Sequence, residues 1–529
     1  MGTSEHLTER AAARAATRAP GFRAAGFWRT EPVDLVAEAA RRDPARTALV
    51  ERGRSLTYRQ LDDAVEGAVA ALREHGAGTG DAVLLLVGND VTSVVAIHAT
   101  LRLGALVMVA PVSVGTAQVR DIVAMTSPSL VLSPESLFPP SDASRLAASR
   151  WAAISAVGDA PPVAGAAPSP RDPDEPSIVI FTSGTTSRPK GVVHSLNTML
   201  VATRNYIDAA ALTAADNLFV ISPLASITGM MQVITVSPVL GAQLTIESRF
   251  DDAATFDFLV ETGGTFFGGP DLLLGRVLDE AASRGITEVP ISAVYLGGSM
   301  LDPRILDRAE LEYGIVVLRA YGSSEAPIST GGARGETQAV RLADDGLPLG
   351  GVELRIGSAA DPAECCIGGA HLFLGYVDAD DDAGAFQIDA FDGDWFCTGD
   401  LAELRDGRLK IFGRIKDIVI RNGLKIPISE VDGMVAALPG VAQCAGYGVA
   451  DDTTGERLAM AVRPSAGAPL TFDAMVAGLV AAGAAKWKIP EELVVWDDGF
   501  PETASGKVVR NQLDEQSAGR PRTVAPRLR

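Results

Sequence analysis

No run of 18 apolar residues occurs anywhere in the chain, so an uninterrupted hydrophobic membrane helix is excluded. Cysteine is scarce, with Cys365, Cys366, Cys397 and Cys444 the four present. An adjacent pair cannot chelate as a C-x-x-C does, and with only five histidines no zinc-ligand spacing appears. The thiols read as free and buried in a reducing compartment, which implies a cytoplasmic protein. Positive charge is short as well: 46 Lys and Arg against 66 Asp and Glu leave a formal charge of −20. That balance argues against non-specific nucleic-acid or anionic-membrane binding, while a local basic pocket for a nucleotide stays compatible with it. A secretion signal is missing too. The first 29 residues carry Arg10, Arg14, Arg18 and Arg23 without an apolar core. They read either as an alanine-rich amphipathic helix or as a loose tail, and the tail is the preferred expectation. Aromatic residues make up only 5%, yet 47% hydrophobic against 21% charged content leaves ample material for a packed interior.

What is present reads as alternating strands and helices. The 529 residues suit roughly three or four domains, or one large α/β body with an appendage. Thr57 followed by Gln60 predicts a capping box, and Leu61, Val65, Val69 and Leu72 predict the apolar stripe of a helix closed by Gly76. The continuous run Ala82 to Val87 predicts a parallel strand covered on both faces. A helix over 94–103 and a strand over 106–110 repeat the alternation, and the expectation is a doubly wound α/β body. Six prolines between Pro161 and Pro176 mark a connector. Further strands are predicted over 218–221, 243–246, 293–296 and 316–321. The last two run into Gly297-Gly298-Ser299 and Gly322-Ser323-Ser324-Glu325, where glycine allows backbone to approach a ligand. After Gly346 the strands shorten into a β-rich subdomain, and from Gly413 an α+β unit follows.

The connector leads to the stretch with the most chemistry. Ile178-Val179-Ile180-Phe181 reads as a buried strand, followed by Thr182-Ser183-Gly184-Thr185-Thr186-Ser187-Arg188-Pro189-Lys190-Gly191. Backbone N–H groups, five hydroxyls and an ammonium in one loop suit a polyphosphate. Pro189 stands where a Walker A loop has its second glycine, and Val192-Val193 follows in place of a helix start. A plain turn between two strands is the competing reading.

Five separated segments occur in order: Phe181–Gly191, Tyr321-Gly322-Ser323-Ser324-Glu325, Thr398-Gly399-Asp400, Gly413-Arg414-Ile415-Lys416-Asp417 and Ser505-Gly506-Lys507. Together they resemble the adenylate-forming superfamily of acyl- and aryl-CoA synthetases, peptide-synthetase adenylation domains and beetle luciferases, over nearly the whole chain. The resemblance implies two-step chemistry. A carboxylate attacks the α-phosphate of Mg-ATP, and a thiol then takes the acyl group. It implies that Thr182, Ser183, Gly184, Thr185, Thr186 and Lys190 wrap the β- and γ-phosphates, with Thr185 also counted catalytic. Tyr321, with Gly322 and Ser324, lies against adenine, and Glu325 holds Mg2+. Asp400 and Arg414 take the ribose, and Lys507 bridges carboxylate and α-phosphate. Lys416 is the hinge, and Gly423, Leu424 and Lys425 present the face used for thiolation. Ala225, Ser226, Gly229, Gly297, Gly298 and Ser299 belong to the acyl pocket. The implied organisation is a tail over 1–30, a large domain over 31–412 with its β-rich subdomain over 340–412, a hinge over 413–416, a small mobile domain over 417–515 and a loose tail over 516–529.

Two departures stand out. Ser187 occupies a position where relatives usually have glycine. Ala225 and Ser226 stand where many acyl- and aryl-CoA synthetases carry an aromatic residue and a histidine, which implies a reshaped acyl pocket or a gate supplied elsewhere. His194 reads as a packing or capping residue. The leading expectation is an ATP-dependent carboxylate–CoA ligase taking a fatty, aryl or alicyclic acid. An enzyme loading a carrier protein is the alternative. No carrier segment follows Arg510, so a carrier would act in trans, which favours CoA. A non-catalytic nucleotide-binding relative is the third reading, and a homodimer stays open.

Overall fold

The computed structural model describes residues 5–137, 150–162, 172–182, 189–297, 301–387, 394–465, 470–502 and 508–526. The run Ala82–Val87 is buried at every position because parallel strands flank it on both sides, Leu106–Pro111 and Leu130–Ser133. It lies inside a seven-stranded sheet ordered Gly375–Tyr376, Lys190–Ser195, Pro176–Thr182, Leu106–Pro111, Ala82–Val87, Leu130–Ser133, Arg150–Ala153. A nine-stranded sheet is ordered Leu347–Pro348, Thr330–Gly331, Val316–Tyr321, Ala293–Gly297, Phe266–Gly269, Asn217–Val220, Gln243–Ile246, Thr47–Glu51, Arg54–Thr57. Its six central strands are parallel and its edges antiparallel. Non-consecutive neighbours joined by helices make this a doubly wound α/β body, as expected.

One core joins the two sheets. Leu218, Val220 and Leu244 of one and Val83, Leu85 and Val107 of the other pack with apolar residues of helices Tyr58–Glu74, Val91–Arg102 and Leu196–Ala210. Thr57 caps the first of these helices. Its side chain accepts from the Gln60 N–H at 3.2 Å, and Gln60 Oε1 accepts from the Thr57 N–H at 2.8 Å.

The chain divides into two compact units, Met1–Gly298 with Ala309–Leu354 and Ile367–Phe396, and Ser299–Arg308 with Arg355–Cys366 and Cys397–Arg529. The second unit contains the hairpin of strands Trp395–Arg405 and Arg408–Arg414 from Cys397 onward. It also contains a sheet ordered Leu424–Pro427, Ile418–Arg421, Gly455–Pro464, Glu492–Val495, Arg522–Val524, with Val441–Asp451 also paired to Gly455–Pro464. Helices Ile428–Ala436 and Phe472–Ala481 pack on it through Val431, Val435, Met475 and Leu479.

Both expected tails are corrected. Glu5–Ala24 is a helix, with Leu7, Ala11, Ala15 and Ala19 buried at four-residue spacing against Leu84, Leu86 and Met108 of the seven-stranded sheet. A stripe of small residues permits close approach, and Arg14 and Arg18 pair with Asp382 and Asp394. At the other end Arg522–Val524 adds an antiparallel strand beside Glu492–Val495, and Arg522 Nη1 lies 2.9 Å from the buried Glu492 carboxylate. The four cysteines are free, but only Cys365 and Cys366 are buried, while Cys397 and Cys444, expected to be buried too, are partly exposed. No helix among the described residues is long and apolar enough to cross a membrane.

Candidate active site

Strands Pro176–Thr182 and Lys190–Ser195 pair antiparallel, with Thr182 opposite Lys190. The hydroxyl-rich segment therefore joins the two arms of a hairpin at the carboxyl end of a strand running parallel with its neighbour Leu106–Pro111. Ser183, Gly184, Thr185, Thr186 and Ser187 lie outside the described residues, as do Gly298, Ser299 and Lys507. Gly191 is closely packed: a Cβ there would sit 2.9 Å from Val377 and 3.0 Å from the Phe181 ring, so those side chains would have to shift.

Lys190 Nζ pairs with Asp381 at 2.9 Å and stands 5.0 Å from the centroid of the Tyr376 ring. The Tyr376 hydroxyl donates to Glu325 Oε1 at 2.7 Å. Burial first, then the charge of Glu325 and this hydrogen bond, raise the phenol far above its ordinary value, so it remains a donor. Sequence reasoning missed Tyr376. Its partner lies 51 positions away, and the two are brought together by the pairing of Gly375–Tyr376 with Val192–Val193 and by the Phe373 N–H bond to the Glu325 carbonyl.

Glu325 follows Val316–Tyr321, the strand that ends on Tyr321. Ser323 Oγ accepts from the N–H groups of Glu325 and Ala326 at 3.2 and 3.3 Å, which bends the chain there. Gly322 has no room for a side chain, since a Cβ would meet Ile328 N at 2.6 Å. The Phe373 N–H donates to the Glu325 carbonyl at 2.8 Å, and His194 Nε2 donates to the Ser324 carbonyl at 2.7 Å. His194 thus secures the turn from behind, in keeping with the packing role read from the sequence.

Three buried histidines are expected to cost the larger unit stability in acid. Burial holds His98 and His194 at about 4 and His371 at about 3, against an ordinary 6.5. Above pH 6.5 all are neutral whether the chain is folded or not. As pH falls, the unfolded chain takes up protons that the folded chain refuses, so stability is lost between pH 6.5 and about 4, each group contributing up to about 1.4 kcal/mol per pH unit. The thermal midpoint is expected to fall across that window, less steeply in His194→Asn. Equal slopes in the two proteins would refute this.

In the second unit, Asp400 stands opposite Arg414 across the hairpin, with Arg414 Nε 2.7 Å from Asp400 Oδ1. The Asp400 N–H donates to Thr398 Oγ1 at 3.0 Å, and the Gly399 N–H to Glu364 Oε1 at 2.8 Å. Gly399 has φ +72°. Lys416 is exposed within the short 3₁₀ turn Ile415–Asp417. Asn422 and Gly423, at φ +51° and +78°, form the two-residue turn of a β-hairpin. Leu424 is exposed beside it, and Lys425 Nζ pairs with Asp361 at 2.5 Å.

The acyl-pocket candidates have structural duties. Ser226 caps helix Ile227–Met230, accepting from the Gly229 N–H at 3.1 Å, and Ala225 is buried in the core. A Cβ on Gly229 would meet the Pro223 carbonyl oxygen at 2.2 Å, and one on Gly297 the Ala320 carbonyl oxygen at 2.7 Å. Among the described residues no cluster of three His, Cys, Asp or Glu could hold a metal.

The larger unit thus holds two doubly wound sheets, the seven-stranded one carrying the hydroxyl-rich hairpin, and an α+β sheet follows it in the chain. A family model described as AMP-binding enzyme matches residues 36–377, and another described as AMP-binding enzyme C-terminal domain matches residues 430–507. The chain belongs to this family. It is 30% identical to the oxalate–CoA ligase of Arabidopsis thaliana, over 92% of this chain and 98% of that protein. It is 29% identical to a probable CoA ligase of Humulus lupulus, over 91% and 95%. Its fold is similar to that of o-succinylbenzoate CoA synthetase from Bacillus subtilis, with a TM-score of 0.81, 22% identity, and 91% and 98% of the two chains covered.

Proposed function

We propose that the chain is an AMP-forming acid–thiol ligase that activates a carboxylic acid with Mg-ATP and passes the acyl group to coenzyme A. The observation that carries this reading is the arrangement around Tyr376, which keeps an ammonium, Lys190, on its ring and a carboxylate, Glu325, on its hydroxyl. A metal polyphosphate needs both charges. One carboxylate suffices for Mg2+, which keeps several waters and takes the rest of its ligands from phosphate. Bound there, Mg2+ would supply Lewis-acid neutralisation of the phosphate charge.

A carboxylate is anionic at neutral pH, so its attack on the α-phosphorus requires no general base. The demand is to offset repulsion between two anions. Thr182 and Lys190, with the hairpin residues Ser183, Gly184, Thr185 and Thr186, bind the terminal phosphates. Tyr321, Gly322 and Ser324 line the adenine side, and Asp400 with Arg414 takes the ribose. Lys507 supplies the charge between the reacting groups. The relatives named as CoA ligases support CoA as acceptor.

Lys416 serves as the hinge between the two half-reactions, presenting Gly423, Leu424 and Lys425 for thiolation. Proline at 416 fixes φ there and drives Ile415 toward extended backbone. Lys416→Pro should slow thioester formation by about tenfold or more relative to pyrophosphate release, about 1.4 kcal/mol in the barrier. An unchanged ratio of the two rates would count against the hinge.

A pyrophosphate-release screen over fatty, aryl and alicyclic acids, with and without CoA, tests the reaction. Acid-dependent release with thioester only when CoA is present is the expected result. Acyl transfer only to an added carrier protein would move the acceptor, and no release with any acid would remove the enzyme reading.

A further inference from the structure

The helix Glu5–Ala24 precedes the segment that the family model matches, which begins at residue 36. Its arginines grip one side of the segment Phe373–Val377. Arg18 Nη1 donates to the Phe373 carbonyl at 2.8 Å, Arg14 Nη1 donates to the Leu374 carbonyl, and Arg10 Nη2 donates to the Val377 carbonyl at 2.9 Å. Arg14 Nη2 also pairs with Asp382 Oδ2 at 3.2 Å, and Asp382 Oδ1 accepts the Tyr376 N–H at 2.9 Å. The approach is close. A Cβ on Gly375, at φ +124°, would meet Asp382 Oδ1 at 2.3 Å and sit against the Arg14 guanidinium. The same short segment reaches the proposed phosphate site through the Tyr376 hydroxyl, 2.7 Å from Glu325, and the Phe373 N–H, 2.8 Å from the Glu325 carbonyl.

We propose that Tyr376 is a positioning residue for the Glu325 carboxylate, and that the N-terminal helix sets Tyr376 through Arg14 and Asp382. A tyrosine hydroxyl engages one carboxylate oxygen only, which fixes the rotation of the group and leaves the second oxygen for a cation. A carboxylate locked this way loses less side-chain entropy when the cation arrives. Arg14 and Arg18 also lie over the Phe386 ring, at 4.1 and 5.4 Å from its centroid. Phe386 in turn stacks on Phe373 at 4.9 Å. Helix, segment and carboxylate therefore form one packed chain of contacts.

The inference rests on the assignment of Mg2+ to Glu325, and the test separates the two. ATP binding is measured calorimetrically with Mg2+ and with EDTA, so no acid substrate is needed. In Tyr376→Phe, the gain in ATP affinity conferred by Mg2+ should shrink about tenfold, the scale of one hydrogen bond to an ion, while affinity in EDTA changes less than about twofold. Arg14→Gln should move the gain the same way by a smaller factor. Glu325→Gln should remove most of it. If Glu325→Gln keeps the full gain, the metal assignment fails. If Glu325→Gln loses it while Tyr376→Phe and Arg14→Gln keep it, the positioning role fails, even where their thermal midpoints drop.

Discussion

Replacing Lys507 by alanine is expected to reduce acyl-adenylate formation by about a hundredfold to a thousandfold, while thioester formation from preformed adenylate persists. The asymmetry follows from the charges. In the first half-reaction a carboxylate approaches a phosphate that already carries negative charge, and a bridging ammonium acts most strongly as the new bond places further charge on the phosphoryl oxygens. In the second, the attacked carbon belongs to a mixed anhydride that is already activated. Removing one preorganised charged donor from a transition state of the first kind costs about 3–4 kcal/mol. Alanine at 507 should leave the fold intact, because the chain on either side is pinned independently. Glu502 bridges to Val508, the Val509 N–H donates to the Pro501 carbonyl at 2.7 Å, and Arg510 Nη2 lies 2.6 Å from Asp432. Lys507→Arg should restore little, since a planar fork does not replace a compact point charge between two acceptors. Pyrophosphate release and thioester formation from synthetic adenylate, measured side by side, decide the matter. Equal loss of both would sink the assigned role.

The architecture was legible wherever local pattern and tertiary context agree. Ala82–Val87 is apolar because neighbours cover both faces, and the Thr57–Gln60 box is complete within four residues, so sequence alone carries both. What the sequence left open or hidden depends on distant partners. Glu5–Ala24 shows no bulky apolar stripe, because its buried face is mostly alanine and its arginines find Asp382 and Asp394 more than 360 residues away. Arg522–Val524 is three residues long, and its basic side chain reads as solvated until Glu492 is placed beside it. The same holds at the site. Glu325 and Lys190 stand in recognisable motifs, whereas Tyr376 reaches them through tertiary contacts, the pairing with Val192–Val193 and the Phe373 bond to the Glu325 carbonyl. Ser226 shows the opposite difficulty. Its departure from the usual residue suggested a pocket, yet the hydroxyl serves first as a helix cap.

Asp400→Asn should raise the KM for ATP about a hundredfold with a smaller fall in kcat. The substitution keeps the shape of the side chain and replaces one acceptor oxygen by a donor. A ribose offering two hydroxyl protons to a carboxylate would then find one acceptor where it needs two. Hydrogen bonds to a charged group contribute about 1.5–3 kcal/mol each, so weakening both accounts for two orders of magnitude. Stability should scarcely change. Asp400 is 7% exposed at its side chain, but its partner Arg414 is 53% exposed and can turn to solvent, which limits the pair to about 1 kcal/mol or less. The supports on the other side of Asp400 are backbone contacts that the amide leaves alone: its own N–H to Thr398 Oγ1, and Thr398 Oγ1 to the Cys365 carbonyl at 2.8 Å. Comparing ATP with 2′-deoxy-ATP makes the test specific. Wild type should discriminate against the deoxynucleotide, and Asp400→Asn should lose most of that discrimination because the group that reads the hydroxyl has been removed. If the variant discriminates as strongly as wild type, Asp400 does not read the ribose, and its pairing with Arg414 is a feature of the hairpin alone.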